Sequence, residues 1–107
     1  MGQLLEACRQ VSSSDARFTW VDEAFLLEHG AQPWMELPLW IPSSDAENAG
    51  MSGVSIQRAL NAGLTFRPLA DTVQATLAMA AAYPPDHTWR AGLPREKEED
   101  LLKLYQR

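Results

Sequence analysis

The chain has 107 residues and a mass of 11.9 kDa, with 14 acidic and 9 basic side chains, a formal net charge of −5 and 46% hydrophobic residues. This composition is typical of one small globular domain, but a chain of this length forms only a modest core, which disfavours a large active-site cleft of its own. The acidic balance speaks against nucleic acid as a partner, because binding phosphates requires a clustered basic face.

The single cysteine, Cys8, has no partner for an intramolecular disulfide. It lies at helical spacing from Leu4 and Val11, which favours its interpretation as a small buried apolar residue in a reducing, cytoplasmic setting. No signal-like segment opens the chain, and the longest apolar stretch, Leu77–Tyr83, is mostly alanine. We therefore expect no membrane-spanning or targeting segment.

The first elements follow from local patterns. Apolar residues at helical spacing predict an amphipathic helix over residues 2–13, which the serine run Ser12–Ser14 ends. Alternating side chains in Arg17–Val21 predict a short strand. A second helix is predicted to begin with Asp22 as its N-cap and to end at Gly30.

Residues 31–44 form a segment whose proline and tryptophan content sets it apart from the predicted helices and strands. The segment contains three prolines among two tryptophans and several aliphatic side chains, and proline restricts both its own backbone and that of the preceding residue. We therefore predict a rigid, apolar chain of turns rather than a regular helix. The polar stretch Ser43–Gly53 that follows is predicted to be a surface loop.

The second half of the chain alternates extended and helical patterns. Its predicted elements are a brief strand at Val54 and Ile56, a short helix at Ile56–Ala62, an extended stretch at Leu64–Phe66, a helix that begins near Pro68 and ends at Tyr83, and a last helix that begins at Pro94. The fold class predicted from these elements is α+β, a single small domain over residues 1–107 with about four helices and a few short strands.

Most catalytic chemistries lack the residues that they require. His29 and His87 are far apart and neither is near Cys8, so no zinc-binding pattern forms. No serine lies in a Gly-x-Ser-x-Gly motif, and no glycine-rich turn follows a strong strand. We therefore assign no catalytic, cofactor-binding or metal-binding residue, although a minimal hydrolase that uses a serine with Asp86 and His87 stays open.

The proline-rich segment offers the best candidate surface. Trp34, Met35 and Trp40 could all serve the core of a small domain, since burying aromatic side chains is strongly stabilising. Rigid turns that carry aromatic side chains and few charges are also typical of surfaces that meet a ligand or another domain. Both interpretations stay open for these three residues.

The order of the segments resembles the C-terminal portion of NAD-dependent epimerase/dehydratase proteins, which are extended short-chain dehydrogenases/reductases. The similarity covers nearly the whole chain, and its most specific part is the block at residues 58–69. The other matching segments are Leu4–Cys8, Phe18–Val21, Pro33-Trp34 through Trp40-Ile41-Pro42, and the helix that follows Leu69.

This resemblance implies a substrate-binding lobe that lacks the N-terminal Rossmann domain. In that family the Rossmann domain binds the dinucleotide on a glycine-rich turn and carries a Tyr-x-x-x-Lys pair. Neither feature is present here: His87 stands four residues after Tyr83, and no residue stands four after Tyr105. The resemblance therefore implies that the chain alone binds no cofactor and is catalytically incompetent, and that NAD(P) belongs to the whole family protein.

The implied partners are the Rossmann domain and a small-molecule substrate, with Trp34, Met35 and Trp40 toward the cleft or the domain interface. An isolated lobe would expose an apolar face, so we also expect weak homodimerisation through it. The alternative function is a free-standing protein-protein interaction module that uses the same tryptophan-bearing surface.

Overall fold

The computed structural model describes residues 1–106. Five α-helices account for its regular structure: α1 at Gly2–Ser12, α2 at Glu23–Glu28, α3 at Gln57–Asn61, α4 at Leu69–Ala81 and α5 at Arg95–Tyr105, with one 3-10 turn at Met51–Gly53. The prediction of about four helices in a small protein is consistent with this architecture, whereas the predicted α+β class also required short strands. None of the helices within residues 1–106 is long and apolar enough to cross a membrane.

The predicted short strands are absent from residues 1–106. Arg17–Val21 and Leu64–Phe66 have no strand beside them, and the sole β-bridge in this part of the chain joins Pro33 to Leu37. Alternating apolar side chains stabilise a strand only when a second backbone pairs with it and one face is covered. Here the side chains of Trp20 and Phe66 stay exposed, so these segments remain extended without pairing.

The described chain divides into two compact units. The first comprises Met1–Phe18 and Ile56–His87, and the second comprises Thr19–Ser55 and the described residues from Thr88 onward. The assignment of residues 1–107 to one domain stays a prediction.

The first unit is built on the packing of α1 against α4. Helix α1 ends where Ser13 adopts a left-handed backbone, with φ of 52°, and the Ser14 N–H donates to the Arg9 carbonyl at 3.0 Å. This is the helix stop that the serine run predicts. Helix α3 ends in the same way at Gly63, whose φ is 98°. Helix α4 begins directly after Pro68, which occupies the N-cap position with an extended backbone.

The second unit contains the buried residues of the described chain, which are Ala31, Pro42 and Leu101. Ala31 is 4% exposed and Leu101 is 7% exposed. Helix α2 ends at the predicted position, where Gly30 has a φ of 68° and the Ala31 N–H donates to the Leu26 carbonyl at 2.9 Å. The N-cap residue Asp22 makes no capping hydrogen bond with its side chain.

Candidate functional site

Residues 31–44, which we call the proline-tryptophan segment, form consecutive turns without a regular helix, as predicted. The Glu36 and Leu37 N–H groups both donate to the Gln32 carbonyl, at 3.0 and 3.3 Å, and the Trp40 N–H donates to the Leu37 carbonyl at 2.9 Å. These short-range bonds make the segment a folded loop of closely spaced turns.

Trp34 occupies an unusual backbone conformation in this segment. Its φ is 66°, and the Met35 N–H donates across it to the Pro33 carbonyl at 2.7 Å. A three-residue turn with positive φ at its centre is the rarer and more strained of the two γ-turns. A left-handed backbone costs a residue with a side chain roughly 1–2 kcal/mol, so the surrounding contacts must hold Trp34 in place.

The strongest of these contacts is the ion pair between Glu36 and Lys97. The Lys97 Nζ lies 2.6 Å from Oε2 and 2.9 Å from Oε1 of Glu36, and it donates at 2.7 Å to the Gly30 carbonyl. The Lys97 side chain is 31% exposed and that of Glu36 is 16% exposed. The hydrogen bond from Lys97 and a second one from the Gln32 N–H hold the pKa of Glu36 below its ordinary value.

A backbone hydrogen bond adds a second attachment. The Gly92 N–H, just before α5, donates to the Met35 carbonyl at 2.8 Å. Residues 92–97 therefore hold the γ-turn through both Met35 and Glu36.

The far end of the segment is held by Glu23, the first residue of α2. Its carboxylate accepts hydrogen bonds from the Ser43 N–H at 3.0 Å, from the Ser43 hydroxyl, and from the Trp40 Nε1–H at 3.4 Å. The hydrogen bonds from Ser43 are the main cause that lowers the pKa of Glu23. The ionised carboxylate also lies at the positive end of α2, where a negative charge is favourable.

The three predicted site residues have different surroundings. Trp34 and Met35 are adjacent in the γ-turn, and both are apolar side chains that stay exposed, at 42% and 54%. Trp40 is half-buried and its indole N–H is bound to Glu23. Core packing does not account for Trp34 and Met35, whereas Trp40 contributes to the attachment of the segment.

A second cluster joins α2 to the end of α5. The Tyr105 hydroxyl donates to Asp22 Oδ2 at 3.1 Å, and this bond raises the pKa of Tyr105. Phe25 contacts the Tyr105 ring edge to face, with centroids 5.0 Å apart, and stacks on His29 at 4.0 Å. The His29 Nδ1–H donates to the Phe25 carbonyl at 2.9 Å, so this cluster is a structural contact between the two helices.

The first unit carries an open apolar groove between α1 and α4. It is lined by Leu4, Cys8, Ser12, Val73, Thr76 and Leu77. Cys8 is exposed, so its predicted burial is wrong. Helical spacing correctly placed Cys8 beside Leu4, but only one helix covers this face of α1.

Sequence reasoning missed Glu23, Glu36 and Lys97. Glu36 is the one charged residue among the apolar residues of 31–42, and Lys97 is a cation in a first helical turn whose neighbours are acidic. A positive charge is unfavourable at that end of a helix. Arg95 is a second cation in that turn, so the sequence pattern alone does not single out Lys97, and only the structure pairs it with Glu36.

No group of three or more histidine, cysteine, aspartate or glutamate side chains within residues 1–106 is arranged to hold a metal ion. Neither the family models, nor the curated proteins, nor the solved structures gave a match to this chain.

Proposed function

We propose that this chain is the C-terminal, substrate-binding lobe of an NAD(P)-dependent oxidoreductase of the epimerase/dehydratase type, an extended short-chain dehydrogenase/reductase. In this proposal the cofactor and the catalytic Tyr-x-x-x-Lys pair belong to a Rossmann domain, and this chain contributes part of the pocket for a small-molecule substrate. The chain alone is catalytically inactive.

The observation that carries the proposal is the amount of apolar surface that the chain leaves uncovered. Within residues 1–106 the buried residues are few and lie in the second unit. Large apolar side chains are exposed in both units, among them Trp34, Met35, Leu39, Leu64, Phe66, Leu77 and Met79. An apolar surface of this extent is typical of a contact with another protein body or a ligand.

Helix α4 supports the same interpretation. Asp71 is its single charged residue, and alanine, leucine, valine and methionine fill most of the rest. A helix that is apolar on most sides is ordinarily buried, whereas no residue of α4 is buried here. A Rossmann domain packed on α4 would supply the missing cover.

The resemblance to the epimerase/dehydratase family is our reason for naming a Rossmann domain as the domain that covers this surface. The block at residues 58–69 spans the end of α3, the Gly63 turn and the start of α4, and it is the part most similar to the epimerase/dehydratase family. We assign the exposed Trp34 and Met35, with Trp40 behind them, to the side that faces the cleft or the domain interface. We also place the protein in the cytoplasm, on the basis of its single cysteine.

The first test is the nucleotide sequence directly upstream of the Met1 codon. We expect an in-frame domain with a glycine-rich turn after its first strand and a Tyr-x-x-x-Lys pair. An in-frame stop codon followed by a start at Met1 would overturn the proposal. That result would favour the second candidate, a free-standing interaction module, which the same exposure of Trp34 and Met35 supports.

The second test is isothermal titration of the chain alone with NAD(H) and NADP(H). We expect no heat of binding, because the proposal assigns the dinucleotide to the Rossmann domain. A micromolar dissociation constant for either nucleotide would overturn this assignment. Sedimentation of the same sample should show weak, concentration-dependent dimers, since the uncovered apolar face can contact a second copy.

A further inference from the structure

The γ-turn at Trp34 requires an explanation beyond its own local bonds. A bulky residue with a φ of 66° lies in a region that side chains rarely occupy. Such conformations persist only where the surrounding structure fixes them on several sides, and they concentrate at positions that function requires. The bonds that fix Trp34 therefore identify the residues on which its orientation depends.

Lys97 contacts the chain on both sides of this turn. Its ammonium group donates to the Gly30 carbonyl, four residues before Trp34, and to both carboxylate oxygens of Glu36, two residues after it. An ammonium group has three N–H donors, and these three acceptors use all of them. Lys97 thus closes the loop from Gly30 to Glu36 into a ring.

The position of Lys97 in α5 also indicates that its role is to hold the loop from Gly30 to Glu36. It lies in the first turn of the helix, beside Glu96 and Glu98, where the helix dipole favours acidic side chains and disfavours a cation. Arg95 in the same turn is also a cation, but its ion pair with Glu99 lies within α5. The hydrogen bonds of Lys97 to Gly30 and Glu36 instead join α5 to residues outside the helix.

We propose that Lys97 is a positioning residue, whose ammonium group holds the Gly30–Glu36 loop closed and thereby keeps Trp34 in the left-handed conformation that presents its indole beside Met35. The inference rests on the proposed function only for what the indole meets, a substrate or the Rossmann domain. The bonds that hold the turn lie within this chain, so this part of the inference does not depend on the proposed function.

The test compares Lys97→Met with Lys103→Met. Lys103 lies on the same helix and forms an exposed ion pair with Asp100 at 3.3 Å, so its replacement is the matched control. We expect Lys97→Met to raise the hydrogen-exchange rates of the Glu36 and Leu37 amides about tenfold, since the turn opens locally. The ¹⁹F resonance of Trp34 in fluorotryptophan-labelled protein, assigned with Trp34→Phe, should also shift.

A third variant separates positioning from simple loss of stability. Glycine adopts positive φ without strain, so in a Trp34→Gly background the turn should survive the loss of the lysine. We expect Lys97→Met to change the Glu36 and Leu37 exchange rates by less than about threefold in that background.

Two results would overturn the proposal: a Trp34 resonance that responds no more to Lys97→Met than to Lys103→Met, or an equal rise in exchange with and without Trp34→Gly. If Lys97→Met does not fold, Glu36→Gln removes the same ion pair and is measured in the same way. None of these experiments contains a nucleotide or a second domain, so their outcome is independent of the tests of the proposed function.

Discussion

Three glutamates within residues 1–106 have pKa values below the ordinary value, each because of hydrogen bonds that its carboxylate accepts. The Arg9 guanidinium hydrogen-bonds Glu6 and is the main cause that lowers its pKa, Ser43 has this effect on the pKa of Glu23, and Lys97 on that of Glu36. Glu6 and Arg9 belong to one exposed helical turn, where an ion pair contributes little to stability. Glu23 and Glu36 differ from Glu6 because their bonds join distant parts of the second unit.

The first prediction concerns the pH dependence that Glu36 imposes. Its pKa is lower in the folded chain than the ordinary 4.5, so the ionised carboxylate stabilises the fold above that pH, and this contribution is lost as the pH falls through the folded pKa. In urea unfolding at pH 7, Glu36→Gln should have a lower midpoint than the parent chain. The difference between the two midpoints should shrink as the pH falls from 7 toward 3.

Glu28→Gln is the control for this measurement, because Glu28 is an exposed carboxylate at the end of α2. Its midpoint should follow that of the parent chain from pH 7 to pH 3. A Glu36→Gln difference that persists unchanged at pH 3 would show that the charge of Glu36 is not the source of its effect.

At the scale of elements, α5 organises the second unit. Lys97 in its first turn holds the proline-tryptophan segment, Leu101 in its middle is buried, and Tyr105 at its end contacts Asp22 and Phe25. These three residues follow one another at four-residue steps, so they lie along one face of the helix. One helical face therefore sets the positions of α2 and of the turn that carries Trp34.

The second prediction tests the buried part of that face. Leu101→Ala should lower the free energy of unfolding by about 2–5 kcal/mol, because it removes buried methyl groups and leaves a cavity. Leu104→Ala, on the exposed side of the same helix, should change it by about 0.5 kcal/mol or less. Equal effects of the two substitutions in urea unfolding would contradict the placement of this face.

The helices were the most predictable elements. Helices α1, α4 and α5 each combine a periodic apolar pattern with a local start or stop signal, such as the serine run or Pro68, and each lies within a few residues of its predicted bounds. The strands were not predictable in the same way. Alternation in Arg17–Val21 describes which residues could share a face, but a strand requires a neighbour that local sequence does not supply.

At the scale of the whole molecule, the two units differ in what they bury. No residue of α1, α3 or α4 is buried, whereas the second unit contains Ala31, Pro42 and Leu101. Local stability follows the number of buried apolar contacts around a segment. The first unit should therefore be the less protected of the two.

The third prediction follows from this difference. In native-state hydrogen exchange, the central amides of α4 should exchange at least about tenfold faster than those around Leu101 in α5. Both helices are long enough for internal hydrogen bonds, which makes them a matched pair. Equal protection in a monomeric sample would mean that α4 is as well stabilised as α5, and would remove the need for a covering domain.

The sequence by itself determined the helices, the turns at Ser13, Gly30 and Gly63, and the irregular path of residues 31–44, because these depend on interactions between near neighbours. It also singled out Trp34, Met35 and Trp40 as a candidate surface, since apolar side chains in a proline-rich segment stand out locally. Only the tertiary structure decided that Cys8 is exposed and that Trp40 binds Glu23. The pairing of Glu36 with Lys97, 61 residues apart, was equally out of reach, because which distant charges meet depends on how the chain folds back on itself.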